Sequence, residues 1–163
     1  MTEHAATTTP AQGLLAKVLT VSDGVVAGTR EDRSGKALVQ RLGLEGFSVV
    51  EHRVVADGIQ TVGEAIFEMA EGFNGLIIST GGTGFGPRDL SPEGTRMVLD
   101  REAPGLAEAM RGVNPLGRLS RAAAGTRGQA LVVNTPGSTA GTIECFEAIV
   151  DVIPHAIRLL SGE

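Results

Sequence analysis

Residues 79–89 read STGGTGFGPRD and follow directly on the apolar run Leu76-Ile77-Ile78. A residue without Cβ permits positive φ and lets backbone N–H groups approach a ligand oxygen closely, so a glycine-rich turn at a strand end suits a phosphate. The same glycines also suit a long surface turn. Of two familiar phosphate loops, the P-loop is excluded and the dinucleotide-binding loop disfavoured. Gly81 and Gly86 have the Walker spacing, but Pro87 and Arg88 stand where Lys and Ser/Thr are needed. Gly82-Thr83-Gly84 opens a Rossmann-like pattern, yet Pro87 replaces its third glycine.

Three acids, Asp23, Asp57 and Asp89, each fall in a turn after an apolar run. Together they suit a hard cation such as Mg²⁺, which takes one or two carboxylates with substrate phosphates and water. Each alone suits an Asx turn or a helix cap equally well. Arg88 fits either a bidentate phosphate clamp or a surface ion pair. His4, His52 and His155 lack metal-ligand spacing and are expected in the tail, on a strand and on the last helix. The single cysteine, Cys145, excludes an intramolecular disulfide and a Cys-based zinc cluster, and its helical neighbours predict burial.

These residues need elements to position them. Apolar runs predict strands at 16–21, 47–55, 76–79 and 130–134, with segments of helical period between them. That alternation is the mark of an α/β domain with a mainly parallel sheet. Val62, Ile66, Met69 and Phe73 form one helical stripe, with Thr61 and Glu64 as a capping box. Ser91-Pro92-Glu93 reads as the N-cap and first turn of another helix, and 103–111 as a third. Residues 119–128 are expected to extend and hairpin onto 130–134. Ser138 is placed to cap a helix through Val150, and 154–160 closes the chain with a short helix. The four strand ends, at 21–24, 55–58, 79–82 and 134–138, are all polar and turn-forming. In open α/β sheets ligands bind beyond the carboxyl ends of the strands, so these turns should converge on one crevice.

A chain of 163 residues fits one domain, here 14–163, after a loose tail at 1–13. The tail lacks the basic start and apolar stretch of a signal peptide, and no apolar run approaches the ~18 residues that span a bilayer, so a cytoplasmic protein without a membrane role is expected. A formal charge of −5 with no Trp or Tyr argues against a nucleic-acid partner, which would need a basic footprint or stacking aromatics. A small anion remains compatible, because helix N-termini and backbone N–H groups bind it without net basic charge.

GGTGFGPRDLSPE (81–93), with VLTVSD (18–23), EDRSG (31–35), REAPGLAEAM (101–110), PLGRLSR (115–121) and NTPGS (134–138), runs in order over about 16–160 and resembles the MogA/MoaB family of molybdenum-cofactor biosynthesis, including the gephyrin G domain. The resemblance implies a three-layer α/β/α molybdopterin-binding fold, usually a homotrimer. It implies Mg²⁺-dependent adenylylation of molybdopterin by ATP, releasing pyrophosphate, with the product passed to a molybdenum insertase. By match to the family's motifs, Asp57 and Asp89 would be the catalytic and metal-binding acids. Gly81, Gly82, Thr83 and Gly84, with the turn holding Asn134, Pro136, Gly137 and Ser138, would bind pterin and phosphate, and Ser22, Asp23 and Ser120 are further candidates. Two departures stand out: Ala56-Asp57-Gly58 replaces the family's Pro-Asp-Glu, and Thr135 replaces a leucine. The alternative is a carrier of the MoaB type that holds the pterin without catalysis. Phe85 beside the loop could contact adenine or lie in the core, and core is expected.

Overall fold

Every residue of 75–80 is buried, the pattern of a parallel strand covered on both faces. The computed structural model describes residues 9–163. In chain order, β1 (Leu15–Val21) leads to α1 (Asp23–Val26) and α2 (Arg33–Glu45), then β2 (Ser48–Val55) to α3 (Ile59–Ala70). Next, β3 (Gly75–Thr80) leads to α4 (Ser91–Val98), and β4 (Arg101–Glu102) to α5 (Pro104–Arg111) and a 3-10 turn (Pro115–Leu119). Finally β5 (Ala124–Arg127) turns back into β6 (Ala130–Thr135), and α6 (Thr139–Ile149) and α7 (Ile153–Leu160) complete the chain.

The sheet order is β2-β1-β3-β6-β5-β4. The first four strands are mutually parallel, and β5 runs antiparallel to both β6 and β4. Because side chains alternate across a strand, β3 sends Leu76 and Ile78 to one face and Ile77 to the other. The first face packs on Leu38, Met110, Phe146 and Ile157 from α2, α5, α6 and α7, where Phe146 meets Phe47 edge to face at 6.3 Å. The second packs on Val62, Ile66 and Met69 of α3, which also packs on α4. The result is the expected three-layer α/β/α arrangement.

The four expected strands agree with the sequence reading to within a residue or two, and the Ser138 cap forms as expected, with Ser138 Oγ accepting from the Gly141 N–H at 3.1 Å. The hairpin onto β6 forms over only 124–127 of the expected 119–128, because Leu119 closes the 3-10 turn, and β4 was not expected. Four expectations fail. α3 starts at Ile59 behind Gly58, whose φ of +136° ends the preceding loop early, so Thr61 and Glu64 lie inside the helix and form no capping box. Ser91 is the first helical residue of α4 rather than its cap, because its Oγ donates to the Gly81 carbonyl at 2.8 Å. Phe85 is 71% exposed, carried outward on the glycine-rich loop instead of into the core. Residues 9–13 form a turn on the body, with Ala11 buried and the Gly13 N–H donating to Gly46 O. His4 and the rest of the expected tail lie outside the described residues. Cys145 is buried, and burial first, then the Glu144 charge, pushes its thiol up to about 11. Among the described residues no helix is long and apolar enough to cross a membrane.

Candidate functional site

Four parallel strands end on the same side of the sheet, and their turns enclose a crevice of about 1000 Å³. Ser22 reaches it from β1, Asp57 from β2, the 81–84 turn and Asp89 from β3, and Pro136, Gly137 and Ser138 from β6. Ser120 enters from the end of the 3-10 turn. The crevice therefore gathers eleven of the thirteen residues singled out in the sequence.

The close meeting of these turns depends on two glycines. Gly81 has φ +106°, and a Cβ there would lie 2.2 Å from the Val21 carbonyl oxygen of β1. Gly82 has φ +72°, and its Cβ would fall 2.4 Å from Ser91 Oγ and 3.2 Å from Asp57 Oδ1. Asp57 thus stands against the loop backbone itself. Thr80 Oγ1 donates to Pro136 O at 2.7 Å, tying the β3 and β6 turns together.

Asp57 and Asp23 exchange hydrogen bonds: the Asp23 N–H donates to Asp57 Oδ2 at 3.0 Å, and the Asp57 N–H to Asp23 Oδ1 at 3.1 Å. Burial raises the Asp57 pKa, and the charges of Asp23 and Asp89 add to that against the opposing Asp23 N–H and Arg88. Asp89 Oδ2 accepts from the Gly86 N–H at 2.8 Å. Two carboxylates thus face a crevice lined with hydroxyl and amide groups, a hard oxygen donor set that fits Mg²⁺ with phosphate oxygens completing its shell. Among the described residues there is no ready-made cluster of three or more metal-ligating side chains.

Two of the thirteen sit elsewhere. Asp23 does not line the crevice, because Arg88 Nε and Nη2 donate to its carboxylate at 2.5 and 3.1 Å, while Nη2 also donates to Asp57 O at 2.9 Å. The Arg88 hydrogen bond is the main reason the Asp23 pKa is lowered. Arg88 therefore pairs with an acid, and Asp23 is not a third open carboxylate. Asn134 has no exposed surface: its Nδ2 donates to Ser79 Oγ and Thr95 Oγ1, both at 2.9 Å, and its Oδ1 accepts from the Ala123 N–H at 3.0 Å. It joins β3, α4 and β5 beneath the crevice floor and does not reach a ligand.

Sequence reasoning missed two walls. Residues 29–34 line one side, held by Asp32, which caps α2 through the Gly35 N–H at 3.0 Å and accepts from Thr20 Oγ1 at 2.9 Å, with His52 Nε2 3.0 Å from the same oxygen. The spacing of Asp32 before Gly35 was a readable capping signal. The other wall is apolar, from Met110, Val113, Leu116 and Leu119, of which Leu116 is 74% exposed. The start of α6, residues 138–141, adds first-turn backbone N–H groups, of which that of Gly141 is taken by Ser138 Oγ, and the positive end of a helix dipole.

Comparison with known proteins places the chain in a family. Residues 17–155 match the family model described as "Probable molybdopterin binding domain". The chain is 35% identical to a molybdopterin adenylyltransferase of Helicobacter pylori, covering 89% of this chain and 86% of that protein. It is 30% identical to the molybdopterin adenylyltransferase of Escherichia coli, covering 89% and 84%. Among solved structures, the molybdopterin biosynthesis enzyme MoaB of Thermus thermophilus superposes with a TM-score of 0.85 at 41% identity, covering 92% of this chain and 98% of that one. On these grounds, the chain belongs to the molybdopterin-binding domain family of molybdenum cofactor biosynthesis, the MogA/MoaB family.

Proposed function

We propose that the protein is a molybdopterin adenylyltransferase, joining the adenylyl group of ATP to the terminal phosphate of molybdopterin and releasing pyrophosphate. The observation that carries the reading is the approach of Asp57 and Asp89 to one glycine-lined crevice at the carboxyl ends of the parallel strands. The relatives named as adenylyltransferases support it over most of the chain.

The reaction forms one bond, from a molybdopterin phosphate oxygen to the α-phosphorus of ATP, and breaks the bond from that phosphorus to the β-phosphate bridge. A phosphate nucleophile is already ionised at pH 7, so no strong general base is needed, and the protein's task is positioning and charge screening. The 81–84 turn and the start of α6 offer backbone donors to the phosphates, and Ser22, Ser120 and Ser138 offer hydroxyls. The Met110–Leu119 wall gives a planar heterocycle an apolar surface. Asp57 and Asp89 would hold Mg²⁺, which supplies charge neutralisation on the phosphate oxygens when bound. Homotrimeric assembly, a cytoplasmic setting and transfer of the product to a molybdenum insertase belong to the same reading.

A second reading has one observation in its favour. Gly58 stands where the family pattern has an acid, and it serves only as the backbone entry to α3. A protein that binds the pterin but does not adenylylate it would be a carrier of the MoaB type. Incubation of the purified protein with molybdopterin, ATP and Mg²⁺ separates the two. Adenylylated pterin and stoichiometric pyrophosphate are expected, whereas tight pterin binding without either product would make the protein a carrier.

A further inference from the structure

Arg121 does not line the crevice, yet it grips the glycine-rich loop from behind. Its Nε donates to the Gly84 carbonyl at 2.9 Å, its Nη2 to the Asp89 carbonyl at 2.5 Å, and its Nη1 pairs with the Glu93 carboxylate in the first turn of α4. Its backbone N–H donates to Thr83 O at 2.9 Å. One residue at the entry to the β5 side of the sheet thus fixes both ends of the span 83–89 and the helix that follows.

The chemistry of these contacts is specific to a guanidinium. Two loop carbonyls and one carboxylate of α4 meet one planar group whose donors diverge at fixed angles, an arrangement that a lysine ammonium on a flexible stem cannot reproduce. Burial pushes the Glu93 pKa up, but the Arg121 hydrogen bond together with smaller backbone and charge contributions outweighs it and leaves the carboxyl lowered, which keeps it ionised through the neutral range. The Gly84 and Asp89 carbonyl oxygens are held by a cation, so neither is free to turn toward an anionic ligand. With its carbonyl pinned by Arg121 and its Oδ2 bonded to the Gly86 N–H, Asp89 is fixed at both backbone and side chain.

We propose that Arg121 is a positioning residue, which holds the 83–89 loop in the register that presents Asp89 and the loop amides to the substrate phosphates. The kinetic part of this inference rests on the adenylyltransferase reading, but the structural part does not. The test therefore has two readouts on R121K and E93Q: hydrogen exchange of the amides of 83–90 compared with those of β3 and β6, and single-turnover adenylyl transfer with KM for molybdopterin.

For R121K, exchange in 83–90 is expected to rise at least ~10-fold with β3 and β6 unchanged. Turnover is expected to fall roughly 10- to 100-fold, the scale of a displacement near 1 Å at a reacting centre, while KM moves much less. E93Q, which keeps the two carbonyl bonds, should show smaller changes in the same direction. Unchanged loop exchange in R121K overturns the proposal, as does a uniform rise across the sheet, which would mark general destabilisation. Should R121K not fold, E93Q decides on the same exchange criterion. If the wild type makes no adenylylated product, the adenylyltransferase reading falls while the exchange result still decides the role of Arg121.

Discussion

Replacing Gly81 by alanine should damage both the fold and the site, and the structure gives the size of the effect. Two costs add. A side chain at φ +106° is held in a sparsely populated backbone region, at roughly 1–3 kcal/mol. The new Cβ would also lie 2.2 Å from the Val21 carbonyl oxygen. That neighbour is backbone, so relief requires the ends of β1 and β3 to part, at about 1–3 kcal/mol for an overpacked site. The sum, ~2–6 kcal/mol, is a large share of the ~5–15 kcal/mol that holds a typical domain together. At ~2–4 °C per kcal/mol for a chain of this size, Tm should fall by roughly 4–24 °C. Gly43→Ala is the matched control: it lies in α2 with no atom within 4 Å of its new methyl, so it should stabilise by about 0.5–1 kcal/mol. Urea titration of both variants, beside pterin binding, reads the difference. A Gly81→Ala protein within ~1 kcal/mol of wild type that still binds pterin would refute the claim that this contact builds the crevice.

Other consequences concern charge. The Asp57 pKa is raised in the fold, so the native state binds the proton more tightly than the unfolded chain. Ionised Asp57 therefore lowers stability above its folded pKa, and this penalty vanishes below the unfolded value of ~3.9. Asp57→Asn, whose amide oxygen can still accept from Asp23, should be more stable than wild type at pH 7 and converge with it near pH 3, as thermal melts across that range will show. A variant less stable at pH 7, with a gap that widens as pH rises, would reverse the sign. Asp23 is the opposite case: its pKa is lowered by Arg88, so its contribution is present above the unfolded carboxylate pKa and lost as pH falls through the folded one. Arg88→Gln should remove that contribution, giving a small loss at neutral pH that shrinks with added salt because the pair is exposed. Melts of this variant at low and high ionic strength check it, and a loss independent of salt would point to the Asp57 carbonyl contact instead.

The crevice was legible because its main features are local. A glycine cluster after an apolar run, an aspartate in the turn after β2 and a serine capping α6 each announce themselves within a few residues. What stayed hidden depends on the order in which strands are laid side by side. Asn134 sits in a turn-like NTPGS motif, yet β5 and α4 close over it and use its whole amide group. Arg121 meets Gly84 across 37 residues, and only the sheet order β3-β6-β5 brings them together. Phe85 reads as core by residue type, but the loop backbone turns it to solvent. The early start of α3 follows from one positive φ at Gly58, which competes with a plausible capping box that begins three residues later at Thr61.

The most direct test of the account is single-turnover adenylylation by Asp57→Ala and Asp89→Ala beside the wild type, with molybdopterin binding measured on the same samples. Product is expected from the wild type, with loss of at least ~100-fold in either variant and retained pterin binding, because electrostatic groups of this kind act mainly on the reacting phosphates. Wild-type rates in both variants would contradict it.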